Sequence, residues 1–100
     1  MKLPYYAVIF TSEISETTEG YNEMADRMEI LAKEQVGFLG VESARNEIGI
    51  TVSYWKDLDS IQKWKQNLDH KIAQDKGRFT WYKNYTVRIA LVERHYSFEN

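Results

Sequence analysis

The spacing of hydrophobic positions changes along this chain, and each change marks an element. The clearest signal lies between Gly37 and His70. Phe38 to Ser43 predicts a short apolar strand, Ala44-Arg45-Asn46-Glu47 a polar turn of hairpin length, and Ile48 to Trp55 the return strand. In the return strand Ile48, Ile50, Val52 and Tyr54 alternate with Gly49, Thr51, Ser53 and Trp55. A period of two sets one aliphatic face against a packing partner and leaves small or polar groups on the other. From Asp57 the period lengthens. Leu58, Ile61, Trp64, Leu68 and Ile72 recur every three or four residues, the stripe of an amphipathic helix that Asp57 is placed to cap.

The flanking stretches complete the pattern. Tyr5 to Thr11 is β-rich and apolar on both faces, as a central strand would be. A polar connection, Ser12 to Thr18, leads into a helix that runs to about Gln35, with Tyr21, Met24, Ala25, Met28, Leu31 and Ala32 on one stripe. Gly37 is placed to stop it. Asp75 to Asn84 has clustered aromatics after a helix-breaking Gly77 and reads as a short helical turn packing back on the core. Tyr85 to about Tyr96 is the last strand, with Val87, Ile89 and Leu91 opposite Arg88, Ala90 and Val92.

The predicted order is therefore β-α-β-β-α-β over one domain, residues 1–100. With right-handed crossovers this gives an α+β ferredoxin-like plait: a four-stranded antiparallel sheet with both helices on one face. Two helices leave the second face of an apolar sheet uncovered, which predicts a homodimer packed sheet to sheet, with the long final strand crossing to the partner.

Composition narrows the function classes. A net charge of -2 with no basic run lacks the electrostatic footprint of a nucleic-acid binder. The absence of Cys removes disulfide, thiolate and zinc-thiolate chemistry and fits a cytoplasmic location. The apolar run Tyr5 to Phe10 is too short to cross a membrane, so no membrane partner is expected. Aromatic residues make up 14% of the chain, more than a minimal core needs, which points to an aromatic-lined pocket or interface. No paired carboxylates, Ser-His-Asp order, Gly-rich phosphate loop or flavin or nicotinamide motif is visible.

The strand YYAVIF, the phrase QVGFLGVES, the segment ITVSYW and the following helix with its second Trp resemble the antibiotic biosynthesis monooxygenase domain. The resemblance runs from about Tyr5 to Phe98 and implies a dimeric α+β barrel. It spans cofactor-free quinone-forming oxygenases, haem-degrading enzymes and proteins with no known reaction. In haem-degrading relatives a Trp corresponding to Trp64, spaced as here from the strand-ending Trp55, lies in the substrate cavity; ordinary core packing is the alternative for Trp64. Those relatives also carry a ligating His where this chain has Gln74, and an Asn in the first strand, which is missing here. An amide is a poor iron ligand, so haem degradation ranks third among the readings.

What the resemblance implies first is a cofactor-independent monooxygenase acting with dioxygen on a small aromatic, quinol- or anthrone-like substrate between the second helix and the sheet. His70, the group in this region whose ordinary pKa lies near neutrality, is the candidate base, with a solvated helix-end His as the alternative. Trp64 is the second candidate catalytic residue. Tyr54, Trp55, Gln74, Trp81 and Arg88 are the candidate pocket residues. His95 is expected at the surface or an interface, and Arg45 and Glu47 as ordinary hairpin-turn charges. A non-catalytic small-molecule-binding or stress-response dimer of the same fold is the second reading.

Overall fold

A computed structural model of the chain describes residues 1–16, 19–74 and 81–100, the side chains of 70–74 excepted. The order is β1 (Tyr5–Ile14), α1 (Tyr21–Lys33), β2 (Phe38–Arg45), β3 (Gly49–Trp55), α2 (Leu58–Gln74) and β4 (Tyr82–Val92). The strands form one antiparallel sheet in the order β2-β3-β1-β4, the ferredoxin-like plait expected. β1, apolar on both faces, is flanked by β3 and β4 as its composition predicts.

Register sorts the strand side chains into two faces, since residues paired across antiparallel strands point the same way. Trp55, Tyr6 and Leu91 form one row; Ser53, Val8 and Ile89 the next; then Thr51, Phe10 and Val87; last Gly49, Ser12 and Tyr85. β2 adds Phe38 beside Trp55, and Arg45 beside Gly49. This is the face that the helices cover. Val8 and the fully buried Trp55 pack there with Ala32 of α1 and Ile61 of α2, and Tyr6, Phe38 and Trp64 close around them. On β3 the side chains under the helices are thus Gly49, Ser53 and Trp55, while Ile50, Val52 and Tyr54 project from the opposite face. The aliphatic face points away from the helices.

Local chemistry explains how the helices are placed. α1 has Glu23 in its first turn and Lys33 in its last, each favourable toward the helix dipole. Beyond α1, Gly37 takes φ 88°, and a Cβ there would lie 2.0 Å from Ser60 Oγ. Only glycine suits both the left-handed backbone and the close approach of α2. Lys56 donates its N–H to the Gly37 carbonyl at 2.7 Å, which prolongs the β2–β3 pairing by one step and ties the approach to α2 to the entry of β2.

The last strand differs from expectation at both ends. It begins at Tyr82 rather than Tyr85, because Tyr82 and Asn84 pair with Ile14 and Glu13 across a bulge in an equally extended β1. It ends at Val92 rather than Tyr96. Its partner strand starts at Tyr5, paired with Val92, and Pro4 before it has no N–H to offer. Residues 75–80 of the expected helical turn lie outside the described residues. Beyond the strand His95 turns back onto the face opposite the helices, its Nδ1 hydrogen-bonded to the Tyr5 hydroxyl at 2.9 Å.

Candidate functional site

The site begins with the start of α2. Asp57 accepts the Ser60 backbone N–H at 2.8 Å and the Ser60 hydroxyl at 2.6 Å on the same Oδ1. These two hydrogen bonds hold its carboxyl below the usual carboxylate range. The cap is the one expected from the sequence. With the helix start set, Ile61 and Trp64 fall one turn apart on its inner face.

Trp64 lies against Trp55 with ring centroids 5.0 Å apart and planes tilted by 32°. The two indoles are otherwise unlike. Trp55 Nε1 donates to Ser53 Oγ at 2.8 Å, whereas Trp64 Nε1 is buried and meets no acceptor among the described residues. A buried donor left unpaired costs about 1–3 kcal/mol. The fold carries that cost at one point of the helix–sheet interior, and an acceptor oxygen brought by a ligand would relieve it.

From this pair the covered face opens toward β4. The strongest helix–strand contacts are those of α1 with β2 and of α2 with β3, and Val8 of β1 is still buried under Ala32 and Ile61. On β4, Val87, Ile89 and Leu91 share that face yet remain 49%, 52% and 47% exposed, next to the half-buried Tyr6 and Phe10 of β1. Together they form an apolar strip, or trough, along β4 and its border with β1, with Val8 buried at its edge.

The far end of the trough is aromatic. Tyr85 stacks on Phe10 at 5.4 Å, and Tyr82 meets Phe10 edge-on at 5.5 Å. Tyr21 at the start of α1 packs edge-on against Tyr82 at 5.8 Å and Trp81 at 6.1 Å. Trp81 Nε1 donates to the Glu19 carbonyl at 2.8 Å, so this indole is satisfied. Arg45 also reaches this end. Its guanidinium passes over Gly49, donates to the Ser12 carbonyl and hydroxyl, and lies 5.7 Å from the centre of the Tyr21 ring.

The residues singled out in the sequence are thus divided. Trp55 and Trp64 come together, and Trp81 stands in the aromatic cluster at the other end of the trough. Tyr54, expected as a wall of a helix-side cavity, instead lies on the opposite face, since neighbours on a strand point opposite ways and its neighbour Trp55 faces the helices. There its hydroxyl donates to Glu42 at 2.8 Å; that carboxylate, with burial, raises the Tyr54 pKa. Arg88 shares the Tyr54 face, paired with Ile9, and so lies away from the trough. His70 and Gln74 belong to the C-terminal part of α2, one turn apart, with side chains outside the described residues. Among the described residues, no three His, Cys, Asp or Glu gather as metal ligands.

Arg45 was legible only as a turn charge. The usable signal was its neighbour: a glycine inside a strand marks a place where another group approaches closely.

Residues 6–92 match the family described as Monooxygenase af470-like, and the chain belongs to that family. It is 52% identical over 98 residues to the uncharacterised protein YqjZ of Bacillus subtilis, covering 96% of this chain and 86% of that one. A jasmonate monooxygenase of Pyricularia oryzae, named ABM, is 33% identical over 43 residues, which is 43% of this chain and 20% of that protein. Among solved structures, SnoaB of Streptomyces nogalater, a cofactor-independent oxygenase, superposes with a TM-score of 0.66 at 12% identity, over 97% of this chain and 99% of that one. The resemblance read from the sequence is upheld, and at that identity the last likeness is one of fold.

Proposed function

We propose that this protein is a cofactor-independent monooxygenase that oxidises a small aromatic, quinol- or anthrone-like molecule in the helix-side trough. The observation that carries the reading is the buried Trp64 Nε1, which has no acceptor among the described residues and lies on Trp55, the first member of the row that runs through Tyr6 to the half-exposed Leu91 of β4. A ring system covers the apolar wall, and its carbonyl or phenol oxygen accepts the indole N–H. Family membership among monooxygenases supports the reaction class.

In this reading the substrate supplies the electrons. A base, His70, removes a proton, and the resulting anion reduces dioxygen. Recombination forms a C–O bond and a peroxide, and loss of water leaves the quinone. One oxygen atom ends in the product and the other in water, so no further reductant is needed. The working assembly is a homodimer joined through the sheet face that carries Ile50, Val52 and Tyr54, where Arg88 also lies.

The test is oxygen uptake with a quinol and an anthrone. His70→Ala is expected to keep the melting temperature and slow uptake by about 10²- to 10⁴-fold. Trp64→Phe retains an aromatic ring against Trp55 but removes the N–H, and is expected to lower turnover with little change in stability. Aromatic binding without oxygen uptake in the wild-type protein, unaffected by His70→Ala, would replace this reading with that of a non-catalytic binding dimer.

A further inference from the structure

Arg45 is an unusual charge for the end of a hairpin. An exposed arginine at a strand end ordinarily extends into water. This one lies inward across the sheet, in a lane left open by Gly49, whose added Cβ would sit 2.0 Å from Arg45 Nη2. It crosses one strand to reach Ser12 on the next, a side chain that is 1% exposed. Two of its five N–H donors meet protein acceptors, the carbonyl and hydroxyl of Ser12. Its other neighbour is the face of Tyr21. Among the described residues it has no carboxylate partner; the ion pairs found there are Lys33–Glu29 and Lys65–Asp69. The guanidinium is thus held in place by neutral groups, with donors to spare.

Its position relative to the trough follows from register. Tyr6, Leu91, Ile89, Phe10 and Val87 line the apolar wall, with Val8 buried beside Ile89, and Arg45 arrives at the next row, Ser12–Tyr85. Six residues of β1 separate the first row from the last, about 20 Å at the rise of an antiparallel strand. An apolar surface of that length with an uncompensated cation at one end is complementary to an amphipathic anion.

We propose that Arg45 is the anion-recognising residue of the trough, and that its ligand is an amphipathic acid whose apolar body lies along β1 and β4 and whose carboxylate meets the guanidinium. The inference rests on the reading of the trough as a binding site and adds the class of molecule bound. Gly49 and Ser12 are positioning residues, one clearing the lane and the other orienting the fork. A charge-assisted pair of this kind is stronger than a neutral hydrogen bond and has the planar geometry that arginine, unlike lysine, supplies.

The experiment is calorimetric titration of the full chain with 2-naphthylacetic acid and with its uncharged twin, 2-naphthylacetamide. Wild type is expected to bind the acid at least about tenfold more tightly, which is ~1.4 kcal/mol. Raising the salt concentration should narrow that gap. Arg45→Gln should bring the acid down to the level of the amide and leave the amide unchanged, and Arg45→Lys should fall between. Equal binding of acid and amide by wild type, or an acid preference that survives Arg45→Gln, overturns the role of Arg45 and leaves the binding trough standing. Failure of both ligands to bind wild type overturns the trough itself, and with it this inference. If Arg45→Gln fails to fold, Arg45→Lys carries the assignment: an acid preference undiminished in that variant overturns the role of Arg45.

Discussion

The two faces of the sheet are made by the same strands but use opposite materials. Under the helices β3 presents Gly49, Ser53 and Trp55; on the other side it presents Ile50, Val52 and Tyr54. A rule that aliphatic faces point to the core would reverse the two. The difference shows that packing depends on the approach of the neighbouring element and not only on hydrophobicity. Small residues let the Arg45 side chain and the Trp55 indole lie flat against the sheet, and one buried Trp then supplies volume that several aliphatics would otherwise provide. The helices leave the aliphatic face uncovered, and Ile50 is 46% exposed on it.

Substitutions can set the two faces against each other. The largest effect is expected on the covered face. Trp55→Ala removes the most buried large side chain and should cost about 3–5 kcal/mol, read as a lowered denaturation midpoint. On the open face, Ile50→Glu should change assembly in place of core packing. Light scattering of the wild type is expected to give twice the chain mass of 11.8 kDa, and of the variant that mass alone. A wild-type monomer at micromolar concentration would end the account of the open face as a subunit interface.

The smallest effect belongs to the cap that positions the covered face. The Asp57 carboxyl is held below its usual range by the Ser60 hydrogen bonds, so its folded pKa is depressed. Its contribution to stability is therefore present above the ordinary carboxylate pKa of about 4 and is lost as pH falls through the folded value. Asp57→Ala should lower the melting temperature slightly at neutral pH and by progressively less in acid. An equal loss at every pH would show that the carboxylate is not what the cap depends on.

Much of this fold was legible because local and long-range signals agreed. The order of elements and the Asp57 cap each follow from residue type and period alone. The end of α1 did not: the helix stops at Lys33 with Glu34 as its cap, short of the expected Gln35, and Gly37 serves the turn into β2. Nor did the ends of β4, because strand length is set by the partner: β1 extends to Ile14 at one end and stops at Tyr5 at the other. The placement of Tyr54 failed for a related reason. Alternation separates two faces but does not say which one the helices take, and the large indole of Trp55 decided it. Trp64 was legible as a helix residue facing the sheet, yet its unpaired N–H is a property of the surroundings that no spacing reveals. Arg45 required knowing that Gly49 and Ser12 stand in line across two strands.

The contact between Trp55 and Trp64 has an optical consequence. Chromophores 5.0 Å apart share their excitation, and rings that are neither parallel nor perpendicular, here tilted by 32°, give a circular-dichroism couplet set by the orientation of their transition moments. The third tryptophan, Trp81, stands apart in the aromatic cluster with Tyr21. A guest that accepts the Trp64 N–H pulls on one member of the couplet and not the other. Under the proposed reading, the protein's own ultraviolet spectrum would register filling of the trough with no label attached.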